Sequence, residues 1–166
     1  MEFNGIPPRS TVFIDANIFI YHFTGTSEEC SSFLRKCETG ELKGITATNV
    51  LAEVLHRLMM IEAVQKGLVT PGNVAAKLKG RPDIVKALSQ SYVNTLRIPE
   101  MGIEVWPLTV DAIRESQKAR SRIGFMPNDS FIMAIMEEAG VKNLVTHDRD
   151  FKRVKAIKTF FPHDVG

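Results

Sequence analysis

Short apolar runs alternate along the chain with longer stretches whose apolar residues recur at helical spacing, and turn residues mark most of the changes. Thr11-Val12-Phe13-Ile14 is a β-branched and aromatic run that reads as a buried strand ending at Asp15. Thr26-Ser27-Glu28-Glu29 then has the form of a capping box, with Thr26 as cap, opening a helix over residues 30–38 that Gly40 stops. Ile45-Thr46-Ala47-Thr48 reads as a second strand. Asn49 is placed to cap a long helix with Leu51, Val54, Leu55 and Leu58 as its apolar stripe. Gly67 and Thr70-Pro71-Gly72 break that helix. Two further helices are predicted over 73–80 and 82–98, the second with Pro82 in its first turn and Ile84, Val85, Leu88 and Tyr92 facing inward.

Ile103-Glu104-Val105-Trp106 is a third strand, stopped by Pro107. Thr109 can cap a basic helix reaching about Arg122, which Gly124 and Pro127 end. Asn128 or Asp129 starts another helix carrying Phe131, Ile132, Ile135 and Met136, and Gly140 closes it. Asn143-Leu144-Val145-Thr146 is a fourth strand, with a fifth over residues 157–161. This alternation argues for an α/β chain around a central, mostly parallel sheet of four or five strands. The expectation is one domain over 1–166, with a helical extension at about 67–99.

Composition changes that picture little. At 166 residues, 44% hydrophobic and 24% charged, the chain can bury a sizeable core, which excludes disordered, collagen-like and disulfide-stapled classes. A net charge of +2 neither demands nor forbids a nucleic-acid partner. The N-terminal residues show no basic segment followed by an apolar run, and no apolar stretch approaches the ~20 residues of a membrane span. A cytoplasmic protein is expected. Cys30 and Cys37 fall seven apart in a predicted helix, ~10.5 Å between Cα atoms against a disulfide limit of ~7 Å, so buried free thiols are expected.

The candidate chemistry is acidic. Asp15 follows the first strand and Asp148 the fourth; Glu53 lies early in the helix after the second strand. All three project from the carboxyl edge of the sheet, where open parallel sheets bind ligands. Asp129 opens the helix before the fourth strand. Each acid alone has a structural explanation as a cap, dipole partner or turn residue. Asp15 is harder to explain, because a carboxylate inside Val12-Phe13-Ile14-Asp15-Ala16-Asn17-Ile18-Phe19-Ile20 is costly to bury unpaired. Carboxylates gathered at one edge call for a hard divalent ion, Mg²⁺ or Mn²⁺. The usual task of such a cluster is phosphoryl chemistry.

Phe13-Ile14-Asp15-Ala16-Asn17, Thr46-Ala47-Thr48-Asn49 with Glu53, Pro127-Asn128-Asp129-Ser130-Phe131-Ile132 with Ala134, and Leu144-Val145-Thr146-His147-Asp148-Arg149-Asp150-Phe151 together resemble the PIN-domain ribonucleases. The resemblance implies an α/β/α sandwich and metal-assisted hydrolysis of an RNA phosphodiester that leaves a 5′-phosphate and a 3′-hydroxyl. It implies that Asp15, Asp129 and Asp148 hold Mg²⁺ or Mn²⁺, with Glu53 a ligand or a proton acceptor. Asn17 and Thr146 match positions that support the acids, and Asp150 is close enough to contribute; either Asp148 or Asp150 faces the metal. Many small members are toxins of the VapC type, dimeric and inhibited by an antitoxin, so RNA, an antitoxin and a second copy of the chain are the expected partners.

Arg114, Lys118, Arg120 and Arg122 precede Asp129, and Arg149, Lys152, Arg153, Lys155 and Lys158 follow Asp148. They read either as RNA-backbone contacts or as solvated helix faces. His22, His56, His147 and His163 are isolated, and Tyr21 and Phe23 read as core or as base-stacking groups. The competing function is a non-catalytic PIN scaffold that binds RNA or protein. A phosphatase built on Asp15 as nucleophile is disfavoured, because Asn17 stands where a second, titrating Asp belongs.

Overall fold

The first apolar run forms β1, Thr11–Ile14, the central strand of a parallel sheet in a computed structural model that describes residues 1–165. β2 (Lys43–Ala47) and β3 (Glu104–Trp106) lie to one side, and β4 (Asn143–Val145) and β5 (Lys158–Phe160) to the other, giving the order β3-β2-β1-β4-β5. All four pairings are parallel, with Phe13 opposite both Ile45 and Leu144. Val12, Phe13 and Ile14 are fully buried, as a central strand covered on both faces requires. Chain order runs from β1 outward to β3, then resumes beyond β1 at β4. The switch point therefore lies between the carboxyl ends of β1 and β4.

The apolar run continues after Asp15 as helix α1, Ala16–Phe23, which the sequence reading left without an element. A short buried run carries no period that separates helix from strand. Helix α2 spans Glu28–Glu38, and its cap is Ser27 rather than Thr26: the Ser27 hydroxyl oxygen accepts from the Cys30 N–H at 2.9 Å. Thr26 pairs with Thr24 instead. The C-terminal segment decides this, because Asp164 accepts from the Ser27 hydroxyl and the Glu29 N–H, and Glu29 accepts from the His163 N–H. Both cysteines on α2 are buried and free, and burial pushes their thiols up to about 12.

Helix α3, Thr48–Gln65, buries Val50, Val54 and Leu58. Asn49 does not cap it; the helix starts one residue earlier, leaving Asn49 Oδ1 buried without a partner, while Thr48 Oγ1 accepts from the Leu108 N–H. Helix α4 is Val74–Lys79. The expected helix over 82–98 is two helices, α5 (Pro82–Val85) and α6 (Gln90–Glu100). Tyr92 points outward, 57% exposed, while Ile84 and Leu88 pack with Ala63 and Leu78 in a small second cluster.

The break before α6 has a visible cause. Glu62 of α3 is buried and accepts from the N–H groups of Gln90 and Ser91 at 3.2 and 2.8 Å, and from Lys66 Nζ at 2.6 Å. It thereby caps α6 from another helix, a task that Ser89 does not perform. Burial pushes the Glu62 carboxyl up, but these hydrogen bonds outweigh burial and hold it below its ordinary value.

Helices α7 (Val110–Ile123) and α8 (Pro127–Glu138) pack against each other as a hairpin whose short link includes Phe125. Thr109 caps α7 through the Ala112 N–H, and Pro127 occupies the first turn of α8. Among the described residues, no helix is long and apolar enough to cross a membrane.

Replacing Glu62 with Ala leaves two backbone N–H groups of α6 without their acceptor, one of them buried. The expected loss is about 1–3 kcal/mol of stability, read as a lower denaturant midpoint, with Glu62→Gln intermediate. An unchanged midpoint for Glu62→Ala would show that α6 is held without this cap.

Candidate active site

Asp15 stands where β1 ends, and its backbone N–H still donates to the Val145 carbonyl at 3.0 Å. Its side chain caps α1: Oδ1 accepts from the Ala16 N–H at 2.7 Å. Oδ2 accepts from the Thr146 hydroxyl at 2.5 Å. Only 6% of the residue is exposed. Burial pushes the carboxyl up to about 6; the bonds from Thr146 and Ala16 pull the other way, and Glu53 and Asp148 add to the rise.

Thr146 connects the two strands that flank the switch point. It is fully buried, donates to Asp15 and accepts from the Asp148 N–H at 2.9 Å. Asp148 is half-buried, and its Oδ1 accepts from the Asp150 N–H. Asp150 is exposed and lies 3.3 Å from Arg153. Of the two acids, Asp148 is thus the one turned toward Asp15.

Asp129 sits in the first turn of α8. Burial pushes its carboxyl up to about 6, with Asp148, Asp15, Asp150 and Glu53 contributing in that order. These four neighbours answer what spacing alone left open: the start of α8 reaches the carboxyl edge. Four chain segments therefore bring Asp15, Glu53, Asp129 and Asp148 within electrostatic reach of one another.

Glu53 lies on α3 with Arg57 one turn later, 3.6 Å from Glu53 Oε1. Arg57 also donates to Asn17 Oδ1 at 2.6 Å. Asn17 thus meets the acids through Arg57, with its side-chain oxygen turned to the guanidinium. Arg57 is not among the residues that the motifs single out; the signal for it in the sequence is the Glu-to-Arg spacing of four on one helix. Tyr21, one turn after Asn17 on α1, bonds His147 Nδ1 at 2.8 Å and meets its ring edge-on. That contact joins α1 to the residue before Asp148.

The basic residues divide. Arg114 pairs with Asp111 and Lys118 with Glu115 on the exposed face of α7. Lys118 and Arg122 border an apolar groove between α7, α8 and residues 154–157. Arg120 and Arg122, in the last turn of α7, are exposed and close in sequence to the start of α8. Arg149 and Lys152 sit over the Phe161 ring, and Arg153 over Phe125.

Among the described residues, no three His, Cys, Asp or Glu side chains form a ready ligand set for a metal ion. The donor chemistry nonetheless fits a hard divalent cation, since every acid offers carboxylate oxygen. Asp15, Asp129 and Asp148 have no ion-pair partner among the described residues, so the edge is short of positive charge.

Residues 12–157 match the PIN domain family, and the chain belongs to that family. A curated relative, Ribonuclease VapC2 from Methanocaldococcus jannaschii, is 27% identical over 146 residues, covering 88% of this chain and 90% of the relative. The fold is also similar to VapBC2 from Rickettsia felis, solved bound to a DNA fragment from its promoter, with TM-score 0.60 and 15% identity over 92% of this chain and 98% of that one. The Mycobacterium tuberculosis sarcin-ricin loop cleaving toxin VapC20 aligns with TM-score 0.57 and 14% identity over 85% of this chain and 92% of that one.

Asp15 has a folded value above its unfolded value of about 4, so its contribution favours folding at low pH and is lost as pH rises through about 6. Above that window its buried charge costs on the order of 3 kcal/mol. Metal-free Asp15→Asn should therefore melt higher than wild type at pH 7.5, and the difference should shrink as pH falls toward 4. A difference independent of pH over this window would contradict the burial argument.

Proposed function

We propose that this chain is a metal-dependent endoribonuclease that hydrolyses RNA phosphodiester bonds and acts as the toxin of a toxin–antitoxin pair. The observation that carries the reading is the meeting of four carboxylates from four chain segments at the switch point of a PIN fold. The relative named as a ribonuclease supports the activity, and the solved toxin–antitoxin neighbours support a protein antitoxin as partner. A homodimer, with a helical extension at about 67–99 of a single PIN domain, completes the proposal.

Asp15, Asp129 and Asp148 would hold Mg²⁺ or Mn²⁺, and the bound ion would activate water and offset charge on the phosphate. Asp15 is held for that task by the Ala16 N–H and the Thr146 hydroxyl, both bonded to its carboxylate oxygens. Thr146 ties the Asp148 backbone to the same point, so one hydroxyl sets the spacing of two acids. Glu53, partly exposed and, among the described residues, paired with Arg57, is the proton acceptor or a further ligand. Asp150, engaged by Arg153, supports the Asp148 turn. Arg120 and Arg122 are the members of the α7 cluster best placed to meet the RNA backbone, while Arg114 and Lys118 are already paired with acids of their own helix.

The test is cleavage of end-labelled RNA with Mg²⁺ or Mn²⁺, wild type beside Asp129→Asn. Metal-dependent bands in wild type, slowed about 100-fold or more in the variant, are expected. Matching bands in both would trace the activity to a contaminant. Saturable Mn²⁺ binding without cleavage would favour the non-catalytic scaffold instead.

Bound metal should also stabilise the fold. At 100 times its dissociation constant, Mn²⁺ should add about 2.7 kcal/mol, seen as a higher melting temperature at neutral pH than with chelator. That gain should be lost in Asp15→Asn. No shift in wild type at millimolar Mn²⁺ would exclude the metal site.

A further inference from the structure

Arg57 is a cation set among acids. Of Asp15, Glu53, Asp129 and Asp148, Glu53 alone has an ion-pair partner among the described residues, and that partner is Arg57, at 3.6 Å. The same Nη1 donates to Asn17 Oδ1 at the shorter distance of 2.6 Å. Asn17 belongs to α1, two residues after the buried Asp15, and Glu53 belongs to α3, which packs on α1. One nitrogen thus links the helix that Asp15 caps to the helix that carries Glu53. The guanidinium is planar and rigid, and its side chain is 36% exposed, so it is neither buried with its charge unmet nor free in solvent.

The same face of α1 is held a second time, one turn further along. Tyr21, one helical turn after Asn17, bonds His147, the residue between Thr146 and Asp148. Asp15 caps the helix that both cross-links hold. The Tyr21 bond ties α1 to the Asp148 loop, and the Arg57 bond ties it to Glu53. An exposed i,i+4 pair on a helix contributes only ~0.3–0.5 kcal/mol, too little to explain the arrangement as helix stabilisation. The shorter bond, to Asn17 across helices, is the distinctive one.

We propose that Arg57 is a positioning residue: it anchors Glu53 to α1 through Asn17 and serves as the internal counter-charge of the acidic edge. This rests on the ribonuclease reading for its consequence, though the anchoring itself does not. The two roles move different quantities. Losing the cation makes the edge more negative, which strengthens binding of a divalent ion. Losing the anchor frees the Glu53 side chain, which slows cleavage.

The experiment compares Arg57→Met and Arg57→Lys with wild type. Arg57→Met should bind Mn²⁺ roughly three- to fivefold more tightly, measured by calorimetry, while kcat for RNA falls roughly tenfold to a hundredfold with KM little changed. Arg57→Lys, which keeps the charge and one donor, should recover wild-type Mn²⁺ affinity and part of kcat. Weaker Mn²⁺ binding in Arg57→Met, or cleavage at the wild-type rate, would overturn the proposal. A second arm needs neither metal nor RNA: melting temperatures of Arg57→Met, Asn17→Ala and the double variant. Non-additive losses support the anchor, and strictly additive losses overturn it. If wild type neither binds Mn²⁺ nor cleaves RNA, the ribonuclease reading fails, and this second arm still decides whether Arg57 anchors α1.

Discussion

A carboxylate buried at the end of the central strand sets the terms for the rest of the carboxyl edge. Asp15 follows three fully buried residues, and its charge cannot be stable there without donors. The chain supplies two, the first N–H of α1 and the hydroxyl of Thr146, and each has a structural consequence. The first makes Asp15 the start of a helix, so the backbone turns away from the sheet immediately. The second links the end of β1 to the residue after β4, at the point where the strand order reverses. Even so, burial outweighs both bonds, and the carboxyl stays well above its usual range. The interaction that organises the edge is therefore left incomplete in charge, which is the condition a cation would satisfy.

Around that point the protein is ordered by side chains that reach between elements. Thr146 joins Asp15 to Asp148, Tyr21 joins α1 to His147, and Arg57 joins α3 to Asn17. Apart from the bond between Thr146 and the Asp148 N–H, these contacts join residues 40 or more positions apart in the chain. Preorganisation of this kind keeps groups at working separation without ordering them anew at each turnover. The same device appears away from the edge, where Glu62 caps α6 from α3 and Asp164 reinforces the cap of α2 from the chain end. The basic residues show the converse. Arg114 and Lys118 are satisfied within their own helix, and only the last turn of α7 leaves unpaired arginines near the start of α8.

The amino-acid pattern by itself determined the fold class and a mostly parallel sheet of four or five strands, and it singled out four acids as candidates. Strands such as Val12-Phe13-Ile14 and Leu144-Val145 are legible because β-branched and aromatic runs have few other uses at that length. Asp15, Glu53 and Asp148 are legible because each follows the end of a strand, and those positions map to one sheet edge by topology. Several things were decided only in three dimensions. α1 was hidden because an apolar run of that length has no diagnostic period. The division of residues 82–98 followed from Glu62, and the choice of Ser27 over Thr26 followed from Asp164, both distant in sequence. The outward turn of Tyr92 depended on where α6 restarts. The position of Asp129 near the other acids, the pairing of Asp150 with Arg153, and the contacts of Arg57 all depend on which elements pack together. Local pattern records what a segment can form; side-chain bonds between distant segments decide where it begins, which way it faces and what it meets.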